Sequence, residues 1–339
     1  MKKVTLDKIA AMAGVGVATV DRVLNERGGV SPHTTMKVLQ AAKLAGLRRI
    51  LPDSYRQPWQ IEVILSSNDT YFFQKLAEDF RKVADLIGYQ GITLHRTLLS
   101  EAYPEKVAQH ISRCRTSRDG IIVFAQDNPE IIAAIDACQL SGIPVITVAS
   151  DLSQAKRLCH VGINQYQAGR TAGLLMSKIV PGQGDVLLVT GRHEYTAHQQ
   201  RIAGFKSALL QRGPHITIRA ILAGEDQRER LSRLLDNALS TLPQLAGLYN
   251  TGDVNAEVSR LLSRYQLLGR CAYLTHELYP FTSQLLKADQ LSFVIDQNAY
   301  RHADIALKLI INYLEEQQVP DAYQEGEVPF TIFTAENCY

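Results

Sequence analysis

No apolar run among the 339 residues approaches the roughly 18 that a membrane span needs. Lys2 and Lys3 open the chain, but Asp7 and Lys8 break the apolar stretch that a secretory signal requires. The expectation is a cytoplasmic protein with no membrane contact. Cysteines are few and scattered: Cys114, Cys138, Cys159, Cys271 and Cys338. Their number is odd and no CxxC pair exists, which speaks against a disulfide framework or a cysteine zinc site. Enzyme signatures are also missing. There is no HExxH, GxSxG, P-loop or strand-following GxGxxG. His193 with Glu194, and His276 with Glu277, are neighbours in sequence. Adjacent side chains diverge and make no metal face. Catalysis, a metal and a cofactor are therefore not expected.

What remains is ordinary globular composition, 46% hydrophobic and 21% charged. That excludes collagen, low-complexity polymers and disorder throughout. The length fits two or three domains. Net charge is only +2, but it is unevenly placed. Residues 1–60 hold ten Lys/Arg against four acids, a net +6, which leaves −4 on the rest. A small basic head on a mildly acidic body points to a polyanionic partner for the head.

Residues 5–46 read as three short helices. Leu6, Ile9, Ala10 and Ala13 share one helical face over Leu6–Ala13, and Gly14 stops that helix. Val20, Val23 and Leu24 share a face over Val17–Asn25. The third helix opens at Ser31-Pro32, an N-cap followed by proline in the first turn, and runs to Ala45 with Met36, Leu39 and Ala42 inward. Residues 47–60 are basic, carry two prolines and have no period, so they read as a linker.

From Ile61 onward, short apolar runs alternate with amphipathic stretches. Strands are expected at 61–66, 91–96, 120–125, 144–149, 160–163, 185–190, 216–222, 245–250, 271–275 and 291–296. Helices fill the gaps, such as Tyr71–Leu86, Pro129–Leu140, Ala168–Ile179 and Ala197–Gln211. This alternation builds parallel sheets covered on both faces. Ten strands exceed one comfortable sheet, so two doubly wound lobes are expected, with a ligand at their carboxyl edges.

The pattern helix, Ala13-Gly14-Val15-Gly16, helix is that of a helix-turn-helix, whose second helix enters the major groove by its N-terminal residues. Those residues are Val17, Ala18 and Thr19, with Asp21 and Arg22 one turn on. Arg22 suits a guanine edge, and Thr5, Ser31, Thr34 and Lys37 suit phosphates.

The stretch TLDKIAAMAGVGVATVDRVLN, followed by GGVSPHTTMKVLQAAKLAGL, resembles the head of the lactose-repressor (LacI/GalR) family of bacterial regulators. Matching positions include Thr5, Ile9, Ala10, Ala13, Gly14, Val15, Thr19, Val20, Arg22, Val23, Leu24, Asn25, Val30, Ser31, Thr34 and Val38. The resemblance implies DNA contacts at Thr5, Gly16, Val17, Ala18, Thr19, Arg22, Asn25, Ser31 and Thr34. The chain also departs from the family. Gly16 replaces a serine, which weakens the cap of the second helix by a few tenths of a kcal/mol. Asp21 replaces another serine and could accept from a cytosine amino group. Val17 and Ala18 bear no hydrogen-bonding groups, so they would meet thymine methyls. The family's minor-groove hinge helix has no counterpart, because Leu47–Arg56 contains Pro52 and no leucine at the wedge position.

The body resembles that of the same family, which is similar to periplasmic sugar-binding proteins. The likeness runs over roughly 61–335 through the motifs NDTYFF, DGIIV, GIPVITV, VGINQYQAGRTAG, RIAGFKSAL, NTGDVNA and VIDQ. It implies a type I periplasmic-binding-protein-like α/β fold behind an all-α head. The expected domains are a head at 1–46, a hinge at 47–60 and an effector-binding and dimerisation domain at 61–339. Within the last, the N-lobe takes about 61–163 and 297–322, and the C-lobe takes about 164–296 and 323–339. Effector contacts are expected at Tyr71, Phe72, Phe73, Asn164, Arg201, Asn250, Asp253 and Gln297, with one of the two phenylalanines in the core. Asp127, Arg192 and His276 lie near the same edge and read as solvated loop residues.

Ala149 stands where the family often has an aspartate, with Asp151 two residues on, so a small polar ligand is better supported than a sugar. His276-Glu277 replaces the family's usual Phe-Asp, either as a polar contact or as a cap for the next helix. The expected partners are double-stranded operator DNA, a small sugar-like effector and a second copy of the chain. The C-terminus shows no apolar heptads for a tetramer coil. Two other readings stay open: a regulator with a non-sugar or lost effector, and a solute-binding protein that shares only the body.

Overall fold

The computed structural model describes residues 4–25, 27–47, 58–88, 91–192, 195–225 and 227–338. The linker at 48–57 and the His193-Glu194 pair lie outside the described residues. The chain separates into two compact units, one carrying the three head helices and one carrying nearly all of two sheets.

The head consists of α1 (Leu6–Ala13), α2 (Val17–Leu24) and α3 (Pro32–Leu44). The Thr5 hydroxyl accepts from Lys8 N and caps α1, and Gly14 ends it at φ +66°. That left-handed conformation suits glycine, which has no Cβ to clash. The core joins Ile9, Ala10, Val20, Val23, Leu24, Val38, Ala41 and Ala42. In α3 the inward face is therefore Val38, Ala41 and Ala42, while Met36 is only half-buried. Leu6 is exposed.

The body runs β1 (Trp59–Ser66), α4 (Tyr71–Ile87), β2 (Ile92–Leu99), α5 (Pro104–Cys114), β3 (Gly120–Val123), α6 (Pro129–Leu140), β4 (Val145–Val148) and β5 (Cys159–Val161). It continues with α7 (Gln165–Ile179), β6 (Gly184–Thr190), α8 (Thr196–Arg212), β7 (Ile216–Ala223), α9 (Arg228–Ser240), β8 (Gly247–Asn250) and α10 (Asn255–Arg264). The last elements are β9 (Ala272–His276), α11 (Pro280–Lys287), β10 (Phe293–Asp296), α12 (Ala299–Glu316) and β11 (Thr331–Phe333).

One sheet has the order β2-β1-β3-β4-β5. The other has the order β11-β10-β9-β8-β6-β7, so its first five strands repeat the first sheet's order. Short strands such as Gly120–Val123 and Val145–Val148 are buried throughout, as parallel strands covered on both faces must be. Helix α12 packs back on β3, β4 and β5. Strand β11 has no expected counterpart. It is three residues long, pairs antiparallel on β10 and is half-exposed, so it carries no apolar run. Helix α7 begins at Gln165 rather than Ala168. The Asn164 side chain caps it by accepting from Gln167 N, and the first turn is polar.

Helices α7 and α8 cross almost backbone to backbone. A Cβ on Gly169 would lie 2.0 Å from the Arg201 carbonyl oxygen, and one on Gly204 would lie 2.1 Å from that of Tyr166. Gly204→Ala should therefore push the helices apart and lower the unfolding free energy by about 1–3 kcal/mol. Denaturant titration would read this, and an unchanged midpoint would show that the crossing is loose.

Candidate functional site

In each sheet the chain reverses its winding beside the first strand, and a crevice opens at the carboxyl ends of the strands. The two crevices face one another across a cleft of about 640 Å³. Its walls include the loop after β1, the start of α4, Ala149 after β4, Gly191 after β6, Thr251–Asp253 after β8 and His276-Glu277 at the end of β9. A cleft of this size suits a small ligand.

Tyr71, Phe72, Phe73, Arg201, Asp253 and Gln297 all stand on this wall. The structure does not bring Asn164 and Asn250 with them. Asn164 is exposed and occupied as the cap of α7. Asn250 is fully buried, donates to Asn255 Oδ1 at 2.8 Å and accepts from Gly252 N at 3.1 Å, so it shapes the turn after β8. Phe72 is largely core and meets His302 edge-on at 5.7 Å. Phe73 starts an aromatic wall that crosses the lobes, to Phe124 at 4.5 Å and from there to Tyr195 at 5.4 Å.

Asp253 Oδ2 accepts from Tyr71 N at 2.9 Å and so ties the second lobe to the start of α4. Beside it the rings of Tyr71 and Tyr279 stack at 4.8 Å. Deeper in, four buried side chains form one chain of hydrogen bonds. Arg201 Nε donates to Gln165 Oε1 at 2.7 Å, Gln165 Nε2 to Gln297 Oε1 at 3.1 Å, and Gln297 Nε2 to Glu277 Oε1 at 2.6 Å. Arg201 Nη1 also donates to the Thr251 carbonyl at 2.8 Å.

Gln165, Tyr195 and Tyr279 escaped the sequence reading, whereas Glu277, read there as a polar contact or a helix cap, stands on the wall. Gln165 follows a capping asparagine, a signal that could have placed it at a helix start. Ala149 and Glu277 follow the equivalent fourth strands of the two lobes and both have positive φ, +64° and +67°. Such backbone costs about 1–3 kcal/mol for a residue other than glycine and gathers at functional sites.

In the head, Gly16, Val17, Ala18 and Arg22 are exposed and Thr19 is half-exposed. Gly16 caps α2 without a side-chain bond. Asp21 is already engaged, accepting from Asn25 Nδ2 at 2.7 Å and from Arg27 Nη1 at 2.8 Å. In this structure Asp21 thus braces the end of α2. Asn25 is exposed but serves that brace. Thr5 and Ser31 are exposed and cap α1 and α3, and the Ser31 and Thr34 hydroxyls lie 2.8 Å apart.

One cluster among the described residues has metal-ligand types at close range: Glu62, His110 and Cys114, with ligand atoms within 4.8 Å of one another. It lies outside the cleft and already holds a cation. Arg118 Nε meets Glu62 Oε2 at 2.7 Å, while Thr97 Oγ1 and His110 Nε2 meet Oε1 at 2.6 and 3.0 Å. Burial pushes the Cys114 thiol up to about 12, so it stays protonated. The arrangement fits a buried ion pair.

Burial alone would raise the Glu62 carboxyl, but the bonds from Thr97, His110 and Arg118 outweigh it and hold the carboxyl below 4.5. A depressed folded value adds stability above pH 4.5 that is lost as the pH falls through that folded value. Arg118→Met should cost about 1–3 kcal/mol at neutral pH, because Glu62 loses its guanidinium but keeps Thr97 and His110. It should also flatten the acid side of the stability profile. Thermal melts from pH 3 to 7 would check both, and a variant as stable as the parent would contradict the ion-pair reading.

Residues 61–318 match the model of a periplasmic binding protein domain, and residues 5–46 match that of the bacterial regulatory proteins of the lacI family. The HTH-type transcriptional regulator DegA of Bacillus subtilis is 24% identical over 258 residues, covering 70% of this chain and 72% of DegA. Catabolite control protein A of Priestia megaterium is 26% identical over 230 residues, covering 66% of each chain. Among solved structures, GanP, a glucose-galactose binding protein from Geobacillus stearothermophilus, superposes with a TM-score of 0.75 at 19% identity over 83% of this chain and 99% of its own. No described helix is long and apolar enough to cross a membrane. A lacI-type helix-turn-helix joined to a two-lobed binding domain makes this chain a member of the lacI family of DNA-binding transcriptional regulators.

Proposed function

We propose that this protein is an operator-binding repressor whose DNA affinity is set by a small hydroxyl-rich molecule, a sugar or sugar derivative, held between its lobes. The observation that carries the reading is the cleft wall. It combines Phe73 and Tyr195 as apolar ring faces with Arg201, Asp253 and Gln297 as fixed polar groups. Sugars need both, since their C–H faces stack on rings and their hydroxyls seek directed partners. GanP is named for two hexoses, which agrees with this choice.

On the DNA side, α2 presents Val17, Ala18, Thr19 and Arg22, with Gly16 at its start, and the surrounding Thr5, Asn25, Ser31 and Thr34 suit the phosphate backbone. Two heads on a homodimer would read the two halves of a pseudo-palindrome. A ligand that binds one lobe arrangement better than another shifts operator affinity by that difference. The protein acts by binding in this reading, without catalysis or a cofactor. A regulator with a silent body is the second reading. Ala149 favours it, because the loop after β4 offers the cleft a methyl group and no polar side chain.

Fluorescence anisotropy with DNA from upstream of the gene would test the proposal, with and without a panel of pentoses, hexoses and polyols. Binding should change at least severalfold with one member. Arg22→Ala should weaken binding by about 1–3 kcal/mol and relax preference at one base pair. DNA binding that ignores every sugar would favour the silent body. No binding to that DNA or to a selected library at low salt would refute the regulator.

A further inference from the structure

Asp21 follows Val17 by four residues in α2, so the two stand on one face of the helix. Val17 is exposed and Asp21 half-exposed. An acid at this place is unfavourable on two counts. It lies in the last turn of the helix, where the backbone dipole favours cations. It also sets a negative charge on the part of the head that meets a polyanion.

Two neighbours answer that charge. Asp21 Oδ1 accepts from Asn25 Nδ2 at 2.7 Å, and Oδ2 accepts from Arg27 Nη1 at 2.8 Å. Arg27 is held at its backbone as well. Its N–H reaches past the end of α2 to the Arg22 carbonyl at 2.9 Å. Gly28 and Gly29 then turn the chain with φ of +65° and +75°, a conformation that glycine adopts without strain. Arg22 leaves the helix beside the same turn, since its Nη1 lies 3.7 Å from the place of a Cβ on Gly29.

The Arg27 side chain stays 64% exposed, and ion pairs so exposed add little to stability. Among the described residues only Nη1 of its guanidinium has a partner. The remaining donors of the planar fork are open to solvent, and such a fork matches a phosphate in shape and charge. Backbone and side chain are both fixed before DNA arrives, so contact with a phosphate orders little more.

We infer that Arg27 is a further DNA contact of the head, a phosphate anchor beside the end of α2, and that Asp21 is the positioning residue that holds it there. The inference rests on the head binding DNA.

Fluorescence anisotropy of the full chain on a labelled random-sequence duplex tests it, over salt from about 50 to 200 mM. Phosphate contacts carry no sequence information, so the operator itself is not needed. Arg27→Ala should reduce the steepness of log affinity against log salt by about one. It should also weaken binding roughly tenfold at the lowest salt, with an unchanged melting temperature. Arg27→Lys keeps the charge without the fork, so it should restore the steepness and only part of the affinity. In an Asp21→Ala background Arg27 is no longer held, and its loss should weaken binding by about threefold or less. A folded Arg27→Ala with parental steepness and affinity overturns the contact. Equal losses in the two backgrounds overturn the role of Asp21. A parent chain that binds no duplex at the lowest salt removes the DNA-binding reading itself, a failure distinct from a bound parent that ignores Arg27→Ala.

Discussion

The crossing of α7 and α8 is the constraint on which the cleft depends. With no Cβ on Gly169 or Gly204, the two backbones approach until carbonyl oxygens fill the place of side chains. Gly173 continues the seam, where a Cβ would lie 2.7 Å from that of Ala208 and 2.8 Å from the Phe205 carbonyl. This closeness brings Gln165, at the start of α7, within 2.7 Å of Arg201 in the second turn of α8. A wider separation would strip a buried guanidinium of one of its hydrogen bonds, at a cost of about 1–3 kcal/mol. Packing and site are thus one arrangement: the glycines matter because of the side chains they bring together.

From that contact the hydrogen bonds run outward through Gln297 to Glu277, so the cleft is lined by groups held in register before any ligand enters. Each buried member has a partner, as a polar network in a low-dielectric interior requires. Both lobes supply the wall, and Asp253 with the Tyr71–Tyr279 stack joins them at the rim. A ligand between such surfaces is well placed to alter how the lobes meet, which is the coupling a regulator needs.

Much of this was legible in the sequence. The strands were readable because each central one is buried on both faces and forms a continuous apolar run. The positions of Arg201 in α8 and of Asp253 and Gln297 just after strands followed from motif spacing. Other features were not readable. The direction of a side chain at a strand end depends on the turn that follows, so Asn250 reads as a contact but faces its own loop. Asn164 reads as a ligand group but satisfies a helix terminus. Phe72 and Phe73 differ only in which way α4 turns them. In α3 the spacing of Met36, Leu39 and Ala42 competes with that of Val38, Ala41 and Ala42, and the smaller residues win where the helices crowd. Gln165 was hidden because its role depends on Arg201, 36 residues away.

Hydrogen–deuterium exchange of the full chain, with and without whichever sugar raises its melting temperature most, tests the central claim most directly. The account predicts slower exchange in the segments 69–74, 197–204, 251–254 and 276–279, which line the cleft from both lobes. Protection confined to one lobe, or appearing away from these segments, would contradict the interlobe cleft as the effector site.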